Sequence, residues 1–219
     1  MRTAYYFVVE LRRALFYRPS ETRRAFDALY TAAEDPWRYG AEPTAAAHHP
    51  VALRLLDRHL PPGSTAFEVG CGEGVFTSLL SSRCEVVIAS DVSTVALDRL
   101  RRRDLANVKP MVWDARTTPP GGSFDVVVCM DVLSYVHRPA SQRSTARNIA
   151  RLVAPGGLLL VSEKNQDELV ESAWWARLLR RGARNVAGNL HRIDRELERV
   201  AEDTGGDHLT VVYRRGDQT

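Results

Sequence analysis

The chain has 219 residues, of which 44% are hydrophobic, and this is enough for one α/β domain with a buried core. Its net charge of +3 is too weak to indicate a nucleic-acid partner. No apolar run approaches the roughly 18 residues of a transmembrane helix, and no signal-peptide pattern is present, so we expect a cytoplasmic protein with no membrane partner. Three cysteines without C-x-x-C spacing predict free thiols rather than a metal site or a disulfide.

The first 50 residues are predicted to form a helical appendage, separate from a main domain over residues 51–219. Apolar spacing indicates helices over 5–17, 21–33 and about 49–59. Pro36 ends the second helix, and Trp37 and Tyr39 follow it in a loop. The separate helices and these aromatic residues predict a lid over a ligand site.

From residue 65 onward, predicted strands alternate with predicted helices. The strands are expected at 65–70, 85–90, 108–112, 124–130 and 157–163, and the helices at 74–82, 93–103 and 141–153. Continuous apolar runs such as 126–130 are typical of parallel strands that are covered on both faces. The fold class is therefore α/β, a doubly wound and mostly parallel sheet that binds ligands at the carboxyl ends of its strands. Further helices are predicted at 167–181 and 191–203, and a last strand at 208–214.

A glycine-rich turn follows the first strand and predicts a nucleoside cofactor. The sequence Phe67-Glu-Val-Gly-Cys-Gly-Glu-Gly74 reads as a buried strand that runs into a tight turn and a helix, and Asp91 ends the second strand. Glycines let the backbone approach a ligand closely, and a strand-end carboxylate suits ribose hydroxyls. Glu68 precedes the first glycine by two residues, where a carboxylate would repel a phosphate and favour a cationic ligand.

This E-x-G-x-G-x-G pattern resembles the first motif of class I methyltransferases, which use S-adenosylmethionine (SAM), a cofactor with an ammonium group and a cationic sulfur. A narrower likeness, to the NodS-like nodulation N-methyltransferases, is found in Asp35-Pro-Trp37, in residues 82–85 and in Asp91-Val-Ser-x-x-Ala-Leu97. Members of that family methylate the amino group of a chitooligosaccharide sugar. The general fold usually ends in two antiparallel-associated strands, so one is either missing here or hidden near 184–190.

The resemblance implies a role for each motif residue. Gly70, Cys71, Gly72 and Gly74 are expected to wrap the methionine part of SAM, with Glu68 holding nearby backbone or the ammonium group. Asp91 would bind the ribose hydroxyls, or would instead cap the next helix in competition with Ser93. The adenine is expected to contact Val92, Asp114 and Ala115; Asp114 would accept from its N6 amine, or would be a simple turn residue. Met130 and Asp131 are expected to face the methyl group.

Methyl transfer to an amine needs alignment more than acid–base help, whereas a hydroxyl acceptor needs a general base. Four residues near the strand ends are candidates for such a catalytic role, namely Asp131, Tyr135, His137 and Glu163. His137 has a plain alternative as a solvent-facing residue. Asp131 is better placed, and suits binding of an ammonium group or of a water.

The remaining aromatic and basic residues have alternative interpretations. Trp37 and Tyr39 suit either a sugar-binding cleft or an anchor for the appendage. Trp174 and Trp175 cannot both face one side of a helix, so one is expected in the core. A basic run (Arg177, Arg180, Arg181 and Arg184) is either a solvated helix face or a site for an anionic acceptor.

The sequence thus predicts a SAM-dependent methyltransferase that acts on a small molecule, with an amine of a sugar or specialised metabolite as the favoured acceptor. Small-molecule O-methylation with Asp131, His137 or Glu163 as the base is the alternative. Nucleic-acid methylation is disfavoured by the weak charge and by the absence of an N-P-P-Y or D-P-P-Y tetrapeptide. A non-catalytic scaffold is disfavoured by the intact glycines.

Overall fold

The computed structural model describes residues 19–39, 46–136, 138–164, 186–205 and 208–217. Several predictions lie outside these residues: the helices over 5–17 and 167–181, the role of His137, the two adjacent tryptophans, and the basic run that follows them. No helix in the part of the chain that the structure describes is long and apolar enough to cross a membrane.

Within the described residues, seven strands form one sheet in the order β3-β2-β1-β4-β5-β7-β6. Strands β1 to β5 run parallel, β7 is antiparallel to β5, and β6 is antiparallel to β7. The strands are β1 (Thr65–Val69), β2 (Val86–Asp91), β3 (Val108–Val112), β4 (Phe124–Met130), β5 (Val153–Lys164), β6 (Glu198–Asp203) and β7 (His208–Arg214). The predicted doubly wound, mostly parallel sheet is confirmed.

The first five connecting helices fall close to their predicted ranges, whereas the sixth does not. They are α1 (Pro19–Ala32), α2 (His48–Asp57), α3 (Val75–Ser81), α4 (Thr94–Arg101), α5 (Pro139–Leu152) and α6, which is described over 186–193. A single 3-10 turn, Leu133–Tyr135, follows β4. The predicted domain boundary between residues 50 and 51 falls inside α2, which packs on β5, β6 and β7.

The sheet has an apolar core on each face, as expected for continuous apolar strands. Phe67 and Val127 belong to one core, which α5 and α6 cover, whereas Ala66 and Val126 belong to the other, which α2, α3 and α4 cover. Neighbouring residues alternate between the cores because successive strand side chains point to opposite faces. This layering fixes the carboxyl ends of β1, β2 and β4 side by side at one edge.

The prediction for the C-terminal part was wrong in one element. Residues 198–203 form the strand β6 rather than the end of a helix, and 186–193 are helical rather than a hidden strand. The strand Glu198–Asp203 has four charged residues in six and lies at the edge of the sheet, where charged side chains prevent pairing with another chain. Its charges obscured the strand pattern. The two antiparallel C-terminal strands of the usual fold are both present.

Candidate functional site

A cavity of about 440 Å³ opens at the carboxyl ends of the parallel strands. Such strand ends are the expected ligand position in a doubly wound sheet. The cavity is lined by 11 of the 14 residues predicted for the site: Glu68, Gly70, Cys71, Gly72, Asp91, Val92, Asp114, Ala115, Met130, Asp131 and Tyr135. Gly74 and Glu163 do not line it, and His137 is outside the described residues.

The glycine turn requires glycine for two different reasons. Gly70 and Gly72 have φ values of 72° and 55°, in the left-handed region. A Cβ atom on Gly72 would lie 2.7 Å from the Tyr30 hydroxyl oxygen, and one on Gly70 would clash with the Val132 side chain. Gly74 has a structural role instead, because it begins α3 and packs against Leu100 of α4. Gly74 does not line the cavity, and its contact with a cofactor remains a prediction.

Glu68 is a buried carboxyl group that accepts a hydrogen bond from one neighbouring hydroxyl. Its Oε2 accepts a hydrogen bond from Thr77 Oγ1 at 2.6 Å, and the residue is 4% exposed. Burial raises the pKa of Glu68 to about 7, against the opposing effect of the Thr77 hydrogen bond. A carboxyl group in this state favours a cationic ligand, which would replace the lost hydration of its charged form.

Asp91 joins the end of β2 to the glycine turn. Its Oδ2 accepts from the backbone N–H of Gly72 at 2.9 Å, and its Oδ1 accepts from that of Ser93 at 2.8 Å. The cap of α4 is Ser93, whose Oγ accepts from Ala96 N at 3.2 Å. Asp91 is therefore not the helix cap. Burial raises its pKa, although the backbone donors oppose the shift.

Arg116 was not predicted as a site residue, yet it holds Asp114 in a two-pronged ion pair. Arg116 Nε and Nη2 lie 2.8 and 2.5 Å from the two carboxylate oxygens of Asp114. Nη2 also donates to Thr22 Oγ1 of α1 at 2.7 Å. Asp114 Oδ1 accepts from the Arg116 backbone N–H as well, as in a turn. The contact of Asp114 with adenine remains a prediction.

Asp131 is the centre of a cluster of histidines that sequence analysis missed. His208 Nε2 of β7 lies 3.2 Å from its Oδ1, and His48 Nε2 of α2 lies 3.2 Å from its Oδ2. Burial acts to raise the pKa of Asp131, but the two histidines outweigh it and hold that pKa well below its usual range. The side chain keeps 34% exposure, and both Asp131 and His208 line the cavity.

Glu163 has a structural position that does not fit the predicted base. The residue is 1% exposed, and its Oε1 accepts from the backbone N–H groups of Val132 and Leu133 at 2.8 and 2.6 Å. Its Oε2 accepts from Ser134 N at 3.2 Å. Burial and the charge of Asp131 raise the pKa of Glu163, while these donors oppose the shift. The carboxylate thus holds the segment that follows β4, and it does not reach the cavity.

Five aromatic residues line the cavity and are called here the aromatic wall: Phe26, Tyr30, Trp37, Tyr39 and Tyr135. Trp37 Nε1 donates to the Tyr30 hydroxyl at 2.8 Å, and the rings of Phe26 and Tyr135 meet edge to face at 5.4 Å. Trp37 is therefore anchored on α1 and also lines the cavity. Its position is compatible both with an anchoring role and with contact to a ligand.

Known proteins match most of this chain. A methyltransferase domain family matches residues 41–210. The chain belongs to the SAM-dependent methyltransferases. Nodulation protein S of Rhizobium tropici is 37% identical over 188 residues, which cover 84% of this chain and 76% of that protein. The predicted likeness to the nodulation family is confirmed.

Two further comparisons widen the picture. The ubiquinone biosynthesis O-methyltransferase of Thiobacillus denitrificans is 31% identical over 187 residues, covering 76% of this methyltransferase and 79% of that enzyme. The N-methyltransferase NodS of Bradyrhizobium japonicum WM9, solved in complex with S-adenosylhomocysteine, superposes with a TM-score of 0.72 at 23% identity. That superposition covers 89% of this chain and 98% of NodS, and it shows the shared fold.

Proposed function

We propose that the enzyme transfers the methyl group of SAM to an amine of a small molecule, with an amino sugar as the favoured acceptor. The observation that carries this proposal is the ionised Asp131, which faces the cavity beneath the aromatic wall. A carboxylate attracts an ammonium group, and aromatic rings suit the apolar face of a sugar. The cavity volume falls in the range of small-molecule sites, about 300–1,000 Å³.

The residues at the other end of the cavity fit SAM. Glu68 and Asp91 are buried carboxyl groups that line it, and the turn from Gly70 to Gly72 brings backbone close to a ligand. Asp91 would take the ribose hydroxyls, and Glu68 would face the cationic amino acid part. When bound, SAM supplies an electrophilic methyl group on a cationic sulfur.

The chain's own contribution is to orient the acceptor and to exclude water. Asp131 would hold the acceptor nitrogen, while Trp37 and Tyr39 would cover the acceptor from the side opposite the sheet. The similarity to nodulation protein S and to an N-methyltransferase supports nitrogen as the methylated atom.

Oxygen is the second candidate, favoured by the likeness to a ubiquinone biosynthesis O-methyltransferase. A hydroxyl acceptor needs a base, and Glu163 is held away from the cavity by three backbone donors. Asp131 is a weak base because its pKa is low. His208 would then have to accept the proton.

Calorimetry tests the cofactor. SAM and S-adenosylhomocysteine should bind, whereas NAD and ATP should not compete with them. Tight NAD binding without a response to SAM would refute the proposal.

Methyl transfer from labelled SAM tests the acceptor. The assay compares glucosamine and its short oligomers with their N-acetylated forms, and small amines with matching alcohols. We expect label on nitrogen, and a rate that rises with pH until the free amine dominates. Label only on oxygen would overturn the assignment of nitrogen.

A further inference from the structure

We propose that Asp131 and His208 bind the acceptor's amino group as an ammonium ion and take up one of its protons, and that His48 holds this pair in place. The inference rests on the proposed N-methylation and assigns the groups that prepare the acceptor. Residues of three elements meet at this point: the end of β4, the start of β7 and the start of α2.

The Asp131 carboxylate is held in one orientation by its backbone and its neighbours. Its φ of 54° is unusual for a residue with a side chain, and its N–H donates to Ser162 O of β5 at 2.8 Å. Each carboxylate oxygen lies 3.2 Å from one imidazole nitrogen. The part of the carboxylate that remains accessible faces the cavity, where a cationic ligand can approach it.

His48 is buried with one ring nitrogen left without a hydrogen bond. Its side chain is 3% exposed, Nε2 lies 3.2 Å from Asp131 Oδ2, and Nδ1 has no hydrogen-bond partner among the described residues. Its ring stacks on that of His208, with centroids 3.8 Å apart and planes 10° from parallel. A buried polar group left unpaired in this way is unusual outside functional sites.

The stacking argues against a metal ion at the same three residues. His48, Asp131 and His208 offer ligand atoms within 4.8 Å of one another. However, the lone pair of an imidazole nitrogen lies in the plane of its ring. Because the two rings are stacked in nearly parallel planes, their lone pairs cannot both point at one ion. A proton requires no such convergence, because it needs only one acceptor at a time.

Several titratable groups around the cluster are poorly suited to take up this proton. The carboxyl group of Glu163 accepts hydrogen bonds from three backbone N–H groups and does not line the cavity. The pKa of Tyr39 is raised far above its usual range by burial and by Asp131. Burial lowers the pKa of His49 to about 4, which keeps that ring neutral. The titratable groups that face Asp131 and its histidines are Tyr39, His49, Cys129, Tyr135, Glu163 and Lys164.

The proton step balances within the cluster. One proton passes from the ammonium nitrogen to the imidazole of His208, which lines the cavity and becomes cationic, while the Asp131 carboxylate stays ionised beside it. The electron pair of the broken N–H bond stays on nitrogen and is then available for bond formation. The ammonium becomes a neutral amine, and the total charge of ligand and cluster does not change.

The first experiment measures methyl transfer from SAM to glucosamine oligomers from pH 6 to pH 9 for the wild type and for His208→Gln. At pH 6 we expect kcat/KM of the variant to be about 10²-fold lower, because the acceptor is mostly ammonium and its proton has no acceptor. The deficit should shrink as pH rises, since solvent then deprotonates the amine. His191→Gln, which replaces an exposed histidine of α6 outside the cavity, is the control and should follow the wild type.

A constant ratio between variant and wild type at every pH would overturn the inference, because a merely structural role would lower the rate uniformly. Loss of S-adenosylhomocysteine binding in parallel with the loss of turnover would also overturn it, since the cluster would then serve the cofactor. The wild-type assay alone decides N-methylation. Failure of the proposed function is therefore distinguishable from failure of this inference.

The second experiment does not depend on turnover. Calorimetry on the complex with S-adenosylhomocysteine compares glucosamine with N-acetylglucosamine, which lacks the ammonium group. We expect the wild type to bind glucosamine at least about tenfold more tightly than N-acetylglucosamine. Asp131→Asn should bind the two sugars with equally low affinity. His48→Gln should keep part of the difference. Equal affinities for the two sugars in the wild type, or no binding of either, would overturn the inference.

Discussion

The carboxylate of Asp91 accepts a hydrogen bond from the backbone N–H of Gly72 at 2.9 Å, so the end of β2 directly fixes the glycine turn that follows β1. One side chain therefore sets both the shape of the turn and the charge that faces the proposed ribose position. The same carboxylate binds the N–H of Ser93 at the start of α4.

The first prediction concerns Asp91→Asn. The amide keeps the size of the side chain but loses the charge that would strengthen bonds to ribose hydroxyls. Charge-assisted hydrogen bonds contribute about 1.5–3 kcal/mol each, so calorimetry should show SAM affinity reduced at least about tenfold. Asp98→Asn is the matched control, because Asp98 is an exposed carboxylate on α4 that pairs with Arg101 at 2.6 Å. Unchanged affinity in folded Asp91→Asn would count against the ribose role.

The second prediction uses the raised pKa of Glu68, about 7. Below pH 7 the unliganded site holds this carboxyl group largely protonated, whereas a cationic cofactor favours the ionised form. SAM binding at pH 6 should therefore release up to about one proton, measured by calorimetry in buffers of different ionisation enthalpy. At pH 8.5 the release should vanish. Glu68→Gln should abolish it, and Glu85→Gln, at an exposed position, should not.

The same group should make the stability of the free protein depend on pH. The folded-state pKa lies above the ordinary value of 4.5, so the folded state binds the proton more tightly. The contribution of Glu68 is present below about pH 4.5 and is lost as pH rises towards 7. Denaturant unfolding should show the wild type losing stability relative to Glu68→Gln over that interval. A pH-independent difference would contradict the raised pKa.

The third prediction concerns Glu163→Ala. Removing the carboxylate leaves the N–H groups of Val132, Leu133 and Ser134 without their acceptor in a buried setting. Unfolding free energy should fall by about 3 kcal/mol, and kcat should fall because the segment that carries Asp131 loses its support. Glu198→Ala, at an exposed position of β6, should change neither quantity. Full stability with abolished activity would instead restore Glu163 as a base.

The fourth prediction concerns α1 as a cover of the cavity. Asp27 accepts from Ser93 Oγ at 2.7 Å and from the N–H of Val95 at 3.4 Å, which ties α1 to the start of α4. Limited proteolysis before about residue 45 should be slowed by S-adenosylhomocysteine, and Asp27→Ala should weaken this protection. Arg24→Ala, an exposed change on the same helix, is the control. Equal protection with and without ligand would indicate a fixed wall.

The parallel half of the sheet could be predicted because its signals are local. Continuous apolar strands are bounded by glycine and proline, and the alternation with helices dictates the parallel order. Strand β6 could not be predicted in the same way, since Glu198–Asp203 is an edge strand whose charges break the apolar pattern. Its place is fixed by pairing with β7, which is a tertiary relationship.

The residues of the site likewise differ in whether local sequence signals or tertiary contacts determine their positions. Glu68 and the glycines lie around one turn, and Asp91 ends the next strand, which pairs in parallel with β1, so their order in the sequence predicts their proximity. His48 and His208 come from opposite ends of the described chain and meet only when β7 inserts beside β5. The position of Glu163 depends on the path of the backbone after Met130, where Asp131 adopts a positive φ that no residue pattern indicates.

The insertion of β7 between β5 and β6 brings His208, a residue from late in the sequence, to the cavity. The residues proposed to hold SAM all precede Asp131 in the chain, whereas His208 arrives with the antiparallel strand that is added last. The acceptor side of the cavity therefore combines residues from early and late parts of the described chain, whereas the proposed cofactor residues belong to one stretch that ends before Asp131.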